Sequence, residues 1–244
     1  MPFQKLFSTL FLLGLLTAPV AHAEGDPLVF ADVFGGYSWS QDQDAKSELP
    51  VGGVSGTSVL KSLDVHNGPA FGGRIGFWLK THRSVGVAID ATHFDGDIDR
   101  QTALLILSPD PTAASGILGT PDMRISNTLV SFDLILRHRG GRFTPYIVAG
   151  PGMMFSDLDE GGFFGTAKQE KSEMTFGYKV GGGASYKLSD AMHLFMEYRY
   201  LHASPEYKLD QSVDPTAGTT AFVREDLEID IDTHALIGGV SIRF

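Results

Sequence analysis

The stretch HALIGGVSIRF, from His234 to Phe244, decides the fold. Its even-numbered positions are mostly apolar, include Leu236 and end in an aromatic residue. Its odd-numbered positions are mostly small or polar and end in Ser241 and Arg243. Successive side chains of a strand point to opposite faces, so a period of two indicates a strand with one apolar face.

The same alternation recurs along the chain and predicts eight strands. It is clear from Met192 to His202. There the even-numbered positions, such as Leu194 and Tyr198, are apolar or aromatic, and the odd-numbered positions include the charged Glu197. Earlier runs repeat the pattern more weakly. The predicted strands before the terminal one are Val29–Ser40, Ala70–Lys80, Ser84–Phe94, Ile125–Arg137, Phe143–Phe155, Met174–Leu188 and Met192–His202.

The contents of the two faces favour a membrane barrel over a soluble sandwich. The apolar faces carry large residues with aromatic rings at their ends, whereas the other faces carry glycine, serine, threonine and charges. Short turns such as Thr81–Arg83 alternate with long, polar and acidic connections such as Gln41–Pro69 and Asp95–Arg124. Strands of about 9–11 residues with such loops are typical of outer-membrane barrels. We therefore predict an all-β fold, an eight-stranded antiparallel up-and-down transmembrane β-barrel.

The composition excludes several other classes of protein. The 244 residues contain no cysteine, so disulfide frameworks, cysteine-ligated zinc and thiol catalysis are absent. A formal net charge of −10 argues against nucleic-acid binding, which needs a basic face. The 29 glycines, without a collagen-like period, indicate tight turns and closely approaching strands.

The first 23 residues have the pattern of a cleavable signal peptide. Lys5 precedes the apolar segment Leu6–Leu16, which is too short to cross a bilayer as a helix. The sequence Ala21-His22-Ala23 then forms an A-x-A cleavage site. We expect export by a bacterium, with the barrel domain spanning residues 24–244.

Three segments carry a resemblance to a known family: FTPYIVAGPG (143–152), EYRY (197–200) and GGVSIRF (238–244). They resemble the outer-membrane β-barrel protein family, the OmpA/OmpX-type and opacity-like eight-stranded barrels, also called porin-family proteins. The resemblance implies a location in the outer membrane of a Gram-negative bacterium, among lipid and lipopolysaccharide. It also implies that Phe244 and its strand are the signal read by the barrel-assembly machinery. Members of the family range from adhesins to structural anchors and narrow pores.

Charged residues on the inward faces are the main candidates for a functional cluster. An eight-stranded barrel is just wide enough for side chains to fill it, and buried charges there must pair. One interpretation is an ion-pair plug in a barrel that serves membrane integrity or surface interaction. The alternative is a network that rearranges to gate a narrow diffusion pore. The candidates are Asp32, Arg74, Asp90, Asp133, Lys179, Glu197 and Arg199.

The motif His202-Ala203-Ser204 partly resembles the His-x-Ser of outer-membrane lipid A deacylases. A histidine base beside a serine nucleophile can catalyse acyl transfer. However, Pro205 stands where that family places asparagine, and only Asp214 or Glu206 is near as a third acid. The favoured interpretation is therefore non-enzymatic, with His202 an interfacial residue at a strand end.

The long connections are acidic, and two clusters, 95–99 and 225–232, carry closely spaced carboxylates. The first lacks the glycine and terminal glutamate of an EF-hand calcium loop. We expect no cofactor and no dedicated metal site, with weak divalent-cation binding left open. An extracellular partner could contact these loops.

Overall fold

The computed structural model describes the backbone of residues 28–40, 43–51, 54–63, 67–98, 102–108, 115–119, 123–138, 140–160, 169–213 and 221–244. Side chains are described within 28–40, 67–96, 124–138, 140–157, 172–206 and 230–244. The predicted signal peptide lies outside these residues. In the described parts of the chain, no helix has the length and apolar content needed to span a membrane.

The described secondary structure consists of strands. In chain order they are β1 (Val29–Ser40), β2 (Gln43–Val51), β3 (Val54–Leu63), β4 (Gly68–Trp78), β5 (Val85–Ile98), β6 (Thr102–Ser108), β7 (Ser115–Gly119), β8 (Met123–Arg137), β9 (Phe143–Glu160), β10 (Gln169–Lys187), β11 (Met192–Ala203), β12 (Glu206–Val213), β13 (Ala221–Ile229) and β14 (Ile231–Arg243).

Eight of these strands close a barrel in the order β1-β14-β11-β10-β9-β8-β5-β4, with antiparallel pairing throughout. Each barrel strand pairs with its chain neighbours in the barrel, and the pairing of β1 with β14 closes the ring. Closure pairs the backbone of every strand on both sides, as a strand in lipid requires. The predicted fold class is confirmed.

The burial pattern confirms the predicted inward and outward faces. In β14, Leu236 is 46% exposed and Val240 38%, whereas Ser241 is only 5% exposed. The outward side chains form an apolar surface that includes Ile75, Ile89 and Phe132, each more than half exposed. Large exposed apolar side chains on every barrel strand are expected of a surface that faces lipid.

The connections differ in length at the two ends of the barrel, as predicted. Short turns join β4 to β5, β8 to β9 and β10 to β11. In the turn between β8 and β9, Gly141 has a φ of 69°, a left-handed conformation that glycine adopts without steric cost. We assign this end to the periplasm, because short turns face that side in outer-membrane barrels.

The long connections contain strands that the sequence analysis did not predict. Six strands form a second sheet in the order β12-β13-β2-β3-β6-β7. The apolar run 104–107 lies within β6, which pairs with β3 and β7. The expectation that these connections are simple loops is therefore corrected. Connections of this length are uncommon as loops without secondary structure, and pairing into strands provides hydrogen-bond partners for their backbone N–H and C=O groups.

The interior also contains apolar layers, which corrects the expectation of a uniformly small and polar inward face. One cluster, in the extracellular half, includes Phe34, Leu129, Met154 and Leu201. A second cluster, nearer the short turns, consists of Phe30, Trp78, Ala88, Ile135 and Val148. The predicted inward charges lie between these two layers.

Candidate functional site: a charged cluster inside the barrel

The structure places all seven candidate residues inside the barrel and in one cluster. Six of them are at most 2% exposed, and Asp32 is 6% exposed. Arg74 and Arg199 are among the largest fully buried side chains of the described residues. Four carboxylates and three cations thus share a space enclosed by the strands. We call this set the lumen cluster: Asp32, Arg74, Asp90, Asp133, Lys179, Glu197 and Arg199.

Asp90 is the centre of the lumen cluster because all three cations reach its carboxylate. Arg74 Nε donates to Asp90 Oδ2 at 3.2 Å. Lys179 Nζ lies 3.0 Å from Asp90 Oδ1, and Arg199 Nη2 lies 3.0 Å from Asp90 Oδ2. The Thr92 hydroxyl also donates to Asp90 Oδ1 at 2.6 Å. This carboxylate, with no exposed surface, is therefore surrounded by compensating positive charge.

Glu197 connects the two arginines. Arg74 Nη2 donates to Glu197 Oε2 at 2.7 Å, and Arg199 Nε donates to Glu197 Oε1 at 2.6 Å. The Tyr146 hydroxyl donates to the same Oε2 at 2.7 Å. Charge-assisted hydrogen bonds of this length are roughly twice as strong as neutral ones.

Several of these contacts cross the lumen. Arg199 lies on β11 and Asp90 on β5, which are four strands apart in a ring of eight and therefore face each other across the barrel. Arg199 Nη1 also donates to Thr92 on β5 at 2.6 Å. The lumen cluster therefore fills the cross-section of the barrel instead of coating one wall.

Two carboxylates lie at the edges of the cluster. Asp133 Oδ2 is 2.8 Å from Lys179 Nζ, and Ser131 donates to Asp133 Oδ1 at 2.8 Å. Gly150 leaves room for Asp133, since a β-carbon there would lie 2.6 Å from Oδ1. Asp32 is 3.6 Å from Arg74 Nε, the longest of these ion pairs.

Three polar partners of the lumen cluster were not predicted from the sequence: Thr92, Ser131 and Tyr146. Thr92 and Ser131 stand two residues from Asp90 and Asp133 on the same inward faces, so the alternation could have indicated them. Tyr146 could not be recognised as an inward residue, because its strand has one of the least regular alternations. Its partner, Glu197, lies on β11, which is distant in the sequence.

His202 and Ser204 lie outside the lumen cluster, on the outward face of the barrel near its extracellular end. His202 Nδ1 lies 2.7 Å from Asp232 Oδ1, and its ring is 5.1 Å from that of Tyr178. Ser204 Oγ donates to Asp230 Oδ1 at 2.7 Å. The acid that contacts His202 is thus Asp232, which lies directly opposite it in the pairing of β11 with β14. Asp214 lies outside the described residues, and the side chain of Glu206 makes no contact that bears on this site.

The predicted acidic clusters lie largely outside the residues whose side chains are described. Asp95 is 3.5 Å from His93 Nε2. Among the described residues, no three His, Asp or Glu side chains are grouped so that they could hold a metal ion. Phe244, the expected assembly signal, pairs by backbone hydrogen bonds with Val29 at the start of β1.

Comparison with known proteins agrees with this architecture. A family model described as outer membrane protein β-barrel domain matches residues 8–244. OprG from Pseudomonas aeruginosa is 14% identical, with a TM-score of 0.56 over 90% of this chain and 99% of that chain. Neisserial surface protein A is 16% identical, with a TM-score of 0.44 over 88% and 97% of the two chains. No curated protein matches the chain.

Similarity at these identities concerns the fold alone. The outer membrane protease OmpT from Escherichia coli is 10% identical, with a TM-score of 0.48 over 93% of this chain and 100% of that chain. The match of the family model covers nearly the whole chain. The protein therefore belongs to the outer membrane protein β-barrel domain family, whose place is the bacterial outer membrane.

Proposed function

We propose that this protein is a sealed, non-enzymatic outer-membrane barrel that serves membrane integrity or surface interaction. The observation that carries the proposal is the position of Asp90, where Arg74, Lys179 and Arg199 converge from three other strands. A carboxylate with three cationic partners ties opposite walls of the barrel together. Such a cluster stiffens the barrel and leaves no path for solutes.

The apolar layers on either side of the lumen cluster support the same proposal. Leu129, Met154 and Leu201 are unexposed inside the extracellular half. A water-filled channel would need polar side chains at that height. Ions would have to cross an apolar layer before they reached the charges.

Three surfaces of the molecule indicate its proposed partners: the outward apolar face, the strand that ends at Phe244 and the second sheet. The outward apolar face would contact lipid and lipopolysaccharide, and the strand ending at Phe244 would engage the barrel-assembly machinery. The second sheet, built from the acidic extracellular connections, is a surface that an extracellular partner could contact.

Planar-bilayer recording tests whether the barrel is sealed. We expect purified wild-type protein to give no discrete, steady conductance steps, while a general diffusion porin inserted in the same bilayers conducts. Discrete steps from the wild-type protein, absent from mock-purified samples, would instead favour the gated diffusion pore.

A second candidate function, lipid acyl-ester hydrolysis, is favoured by one observation. Asp232 holds His202 Nδ1, which leaves Nε2 available as a base on the outward face near the outer leaflet. In such a reaction Ser204 Oγ would attack the ester carbonyl and pass its proton to Nε2. The alcohol would then leave with that proton, and water would release the acyl group. Ser204 would first have to break its hydrogen bond to Asp230.

Incubation with lipopolysaccharide separates this second candidate from the first. We expect no released acyl chains by mass spectrometry, from either the wild-type protein or Ser204→Ala. Release by the wild-type protein that is lost in both Ser204→Ala and His202→Ala would establish the hydrolase. Thr175→Ala is the matched control, because the Thr175 hydroxyl donates to the Ser204 backbone carbonyl and not to the Ser204 side chain.

A further inference from the structure

Exposed basic side chains are concentrated at the short-turn end of the barrel. Lys80 and His82 lie in the turn between β4 and β5, and His138 and Arg142 lie in the turn between β8 and β9; all four are exposed. We call these four residues the basic rim. Because the whole chain has a formal net charge of −10, positive charge at this end is a local feature of the molecule.

The charge of the basic rim is not neutralised within the short turns. Asp190 is the single carboxylate among the described residues of the three short turns, and it lies 2.5 Å from Lys187 Nζ. Lys80 and Arg142 therefore contribute two positive charges that no carboxylate of these turns balances. This excess does not depend on the arginines nearby that have interactions of their own, Arg83 and Arg137.

Hydrogen bonds hold the two turns of the basic rim side by side. Arg137 N donates to the Ser84 carbonyl at 2.8 Å, and Arg137 Nε donates to the Arg83 carbonyl at 3.0 Å. The strands that connect to these turns, β5 and β8, pair along their length. The basic rim is therefore one continuous surface.

The basic rim begins where the lipid-facing surface ends. Phe77 and Phe143, which are 50% and 61% exposed, are outward aromatic residues near the turn ends of β4 and β9. Lys80 follows Phe77 by three residues, and Arg142 directly precedes Phe143. At about 3.3 Å per residue, both cations lie within roughly 10 Å of these rings. The headgroup region of a bilayer is about 5–8 Å thick on each side, so long lysine and arginine side chains reach it.

We propose that the basic rim binds the phosphate groups of anionic phospholipids in the inner leaflet of the outer membrane. Arginine and lysine donate charge-assisted hydrogen bonds to phosphate, and cations at a membrane surface are attracted to anionic lipid. A zwitterionic headgroup carries its own cation beside the phosphate, whereas phosphatidylglycerol does not. The basic rim therefore selects phosphatidylglycerol over phosphatidylcholine.

Two features favour a lipid over an anionic polymer of the periplasm such as peptidoglycan. The turns are only a few residues long and stay at the level of the membrane, so a lipid headgroup is the nearest anion. The negative charge of the whole chain also opposes the approach of a polyanion, whereas lipid already surrounds the barrel.

Electron spin resonance of spin-labelled lipids tests the proposal in a bilayer. The full protein is reconstituted in phosphatidylcholine at about 50 mM salt with a trace of spin-labelled phosphatidylglycerol or phosphatidylcholine. We expect the phosphatidylglycerol label to associate with the wild-type protein at least twice as strongly as the phosphatidylcholine label. The preference should disappear at 1 M salt, where the screening length falls to about 3 Å.

The double variant Lys80→Gln with Arg142→Gln should reduce the ratio of the two association constants to about one. Lys80→Arg with Arg142→Lys, which exchanges the two cations, should keep the wild-type ratio. Lys187→Gln with Asp190→Asn is the matched control, since it changes two residues at the same end without changing the net charge. It should also keep the wild-type ratio.

Equal association of the two labels with the wild-type protein would overturn the proposal. A preference that persists in the Lys80→Gln, Arg142→Gln variant would overturn it as well, because the lipid would then bind elsewhere. Sedimentation of the wild-type protein with purified peptidoglycan, lost in that variant and without any lipid preference, would assign the basic rim to the polymer instead. The salt dependence of the wild-type protein decides the question if the variant does not fold. None of these outcomes affects the sealed-barrel proposal, which rests on the lumen cluster.

Discussion

Arg199→Ala should lower the free energy of unfolding by about 3–5 kcal/mol. The change removes two hydrogen bonds and an ion pair that Arg199 makes with Asp90 and Glu197, and one hydrogen bond to Thr92. It leaves Asp90 and Glu197 with less compensating positive charge, and water does not reach either carboxylate. It also removes the packing of the guanidinium over the Phe34 ring at 4.2 Å. Reversible unfolding by denaturant in lipid vesicles measures the loss.

Arg142→Ala is the control for this prediction, because Arg142 lies exposed in the short turn between β8 and β9. Its effect should stay within about 0.5 kcal/mol. Planar-bilayer recording of Arg199→Ala adds a second readout. Lost stability without conductance supports a plug, whereas a new leak supports a gate. An effect of Arg199→Ala no larger than that of Arg142→Ala, with no leak, would contradict the role of Arg199 in sealing the barrel.

Ile89→Arg should destabilise the barrel by about 2–4 kcal/mol, the cost of an arginine at the bilayer midplane. Ile89 is the third of the five outward positions that run along β5 from Val85 to His93, and it is 55% exposed. It stands between Ile75 on β4 and Phe132 on β8, both apolar and outward. The guanidinium would therefore have lipid as its only surroundings. The same vesicle unfolding experiment applies.

Val85→Arg provides the depth control for Ile89→Arg. Val85 begins the same strand on the same face, beside the short turn. Near the interface the cost of arginine falls to about 0–1 kcal/mol. Equal effects of the two substitutions would mean that this face does not lie across a bilayer, and the assignment of the outward surface to lipid would have to be abandoned.

The barrel strands were predictable because lipid and lumen demand different residues at alternate positions. The predicted range Val29–Ser40 matches β1 at both ends. Strands β9 and β10 extend further than predicted, to Glu160 and from Gln169. Beyond the aromatic ends of these strands both faces are polar, so the period of two that identified them is lost although pairing continues.

The second sheet could not be predicted for the same reason. Its strands lie outside the lipid, so neither of their faces has to be apolar. The sequences of β2, β12 and β13 are accordingly rich in polar and acidic residues. Backbone pairing does not require alternation of side chains.

The inward charges were visible in the sequence, but their pairings were not. Alternation places Arg199 and Asp90 on inward faces, whereas the contact between them depends on strand tilt and on side chains that cross the lumen. The inward apolar layer around Leu129 and Met154 was missed, because residues facing the lumen were expected to be small or polar. The pairing of His202 with Asp232 depends on the register of β11 with β14, which no local pattern encodes.

Thiol accessibility at the level of the lumen cluster tests the sealed barrel most directly. The chain has no cysteine, so Ser131→Cys introduces a single thiol beside Asp133 at a site that is 2% exposed. Ser84→Cys, in an exposed turn, is the control. In vesicles, a small cationic methanethiosulfonate reagent should modify Ser84→Cys completely and leave Ser131→Cys unmodified until denaturant unfolds the protein. Modification of folded Ser131→Cys at a rate comparable to that of Ser84→Cys would show a water-filled lumen and contradict the sealed barrel.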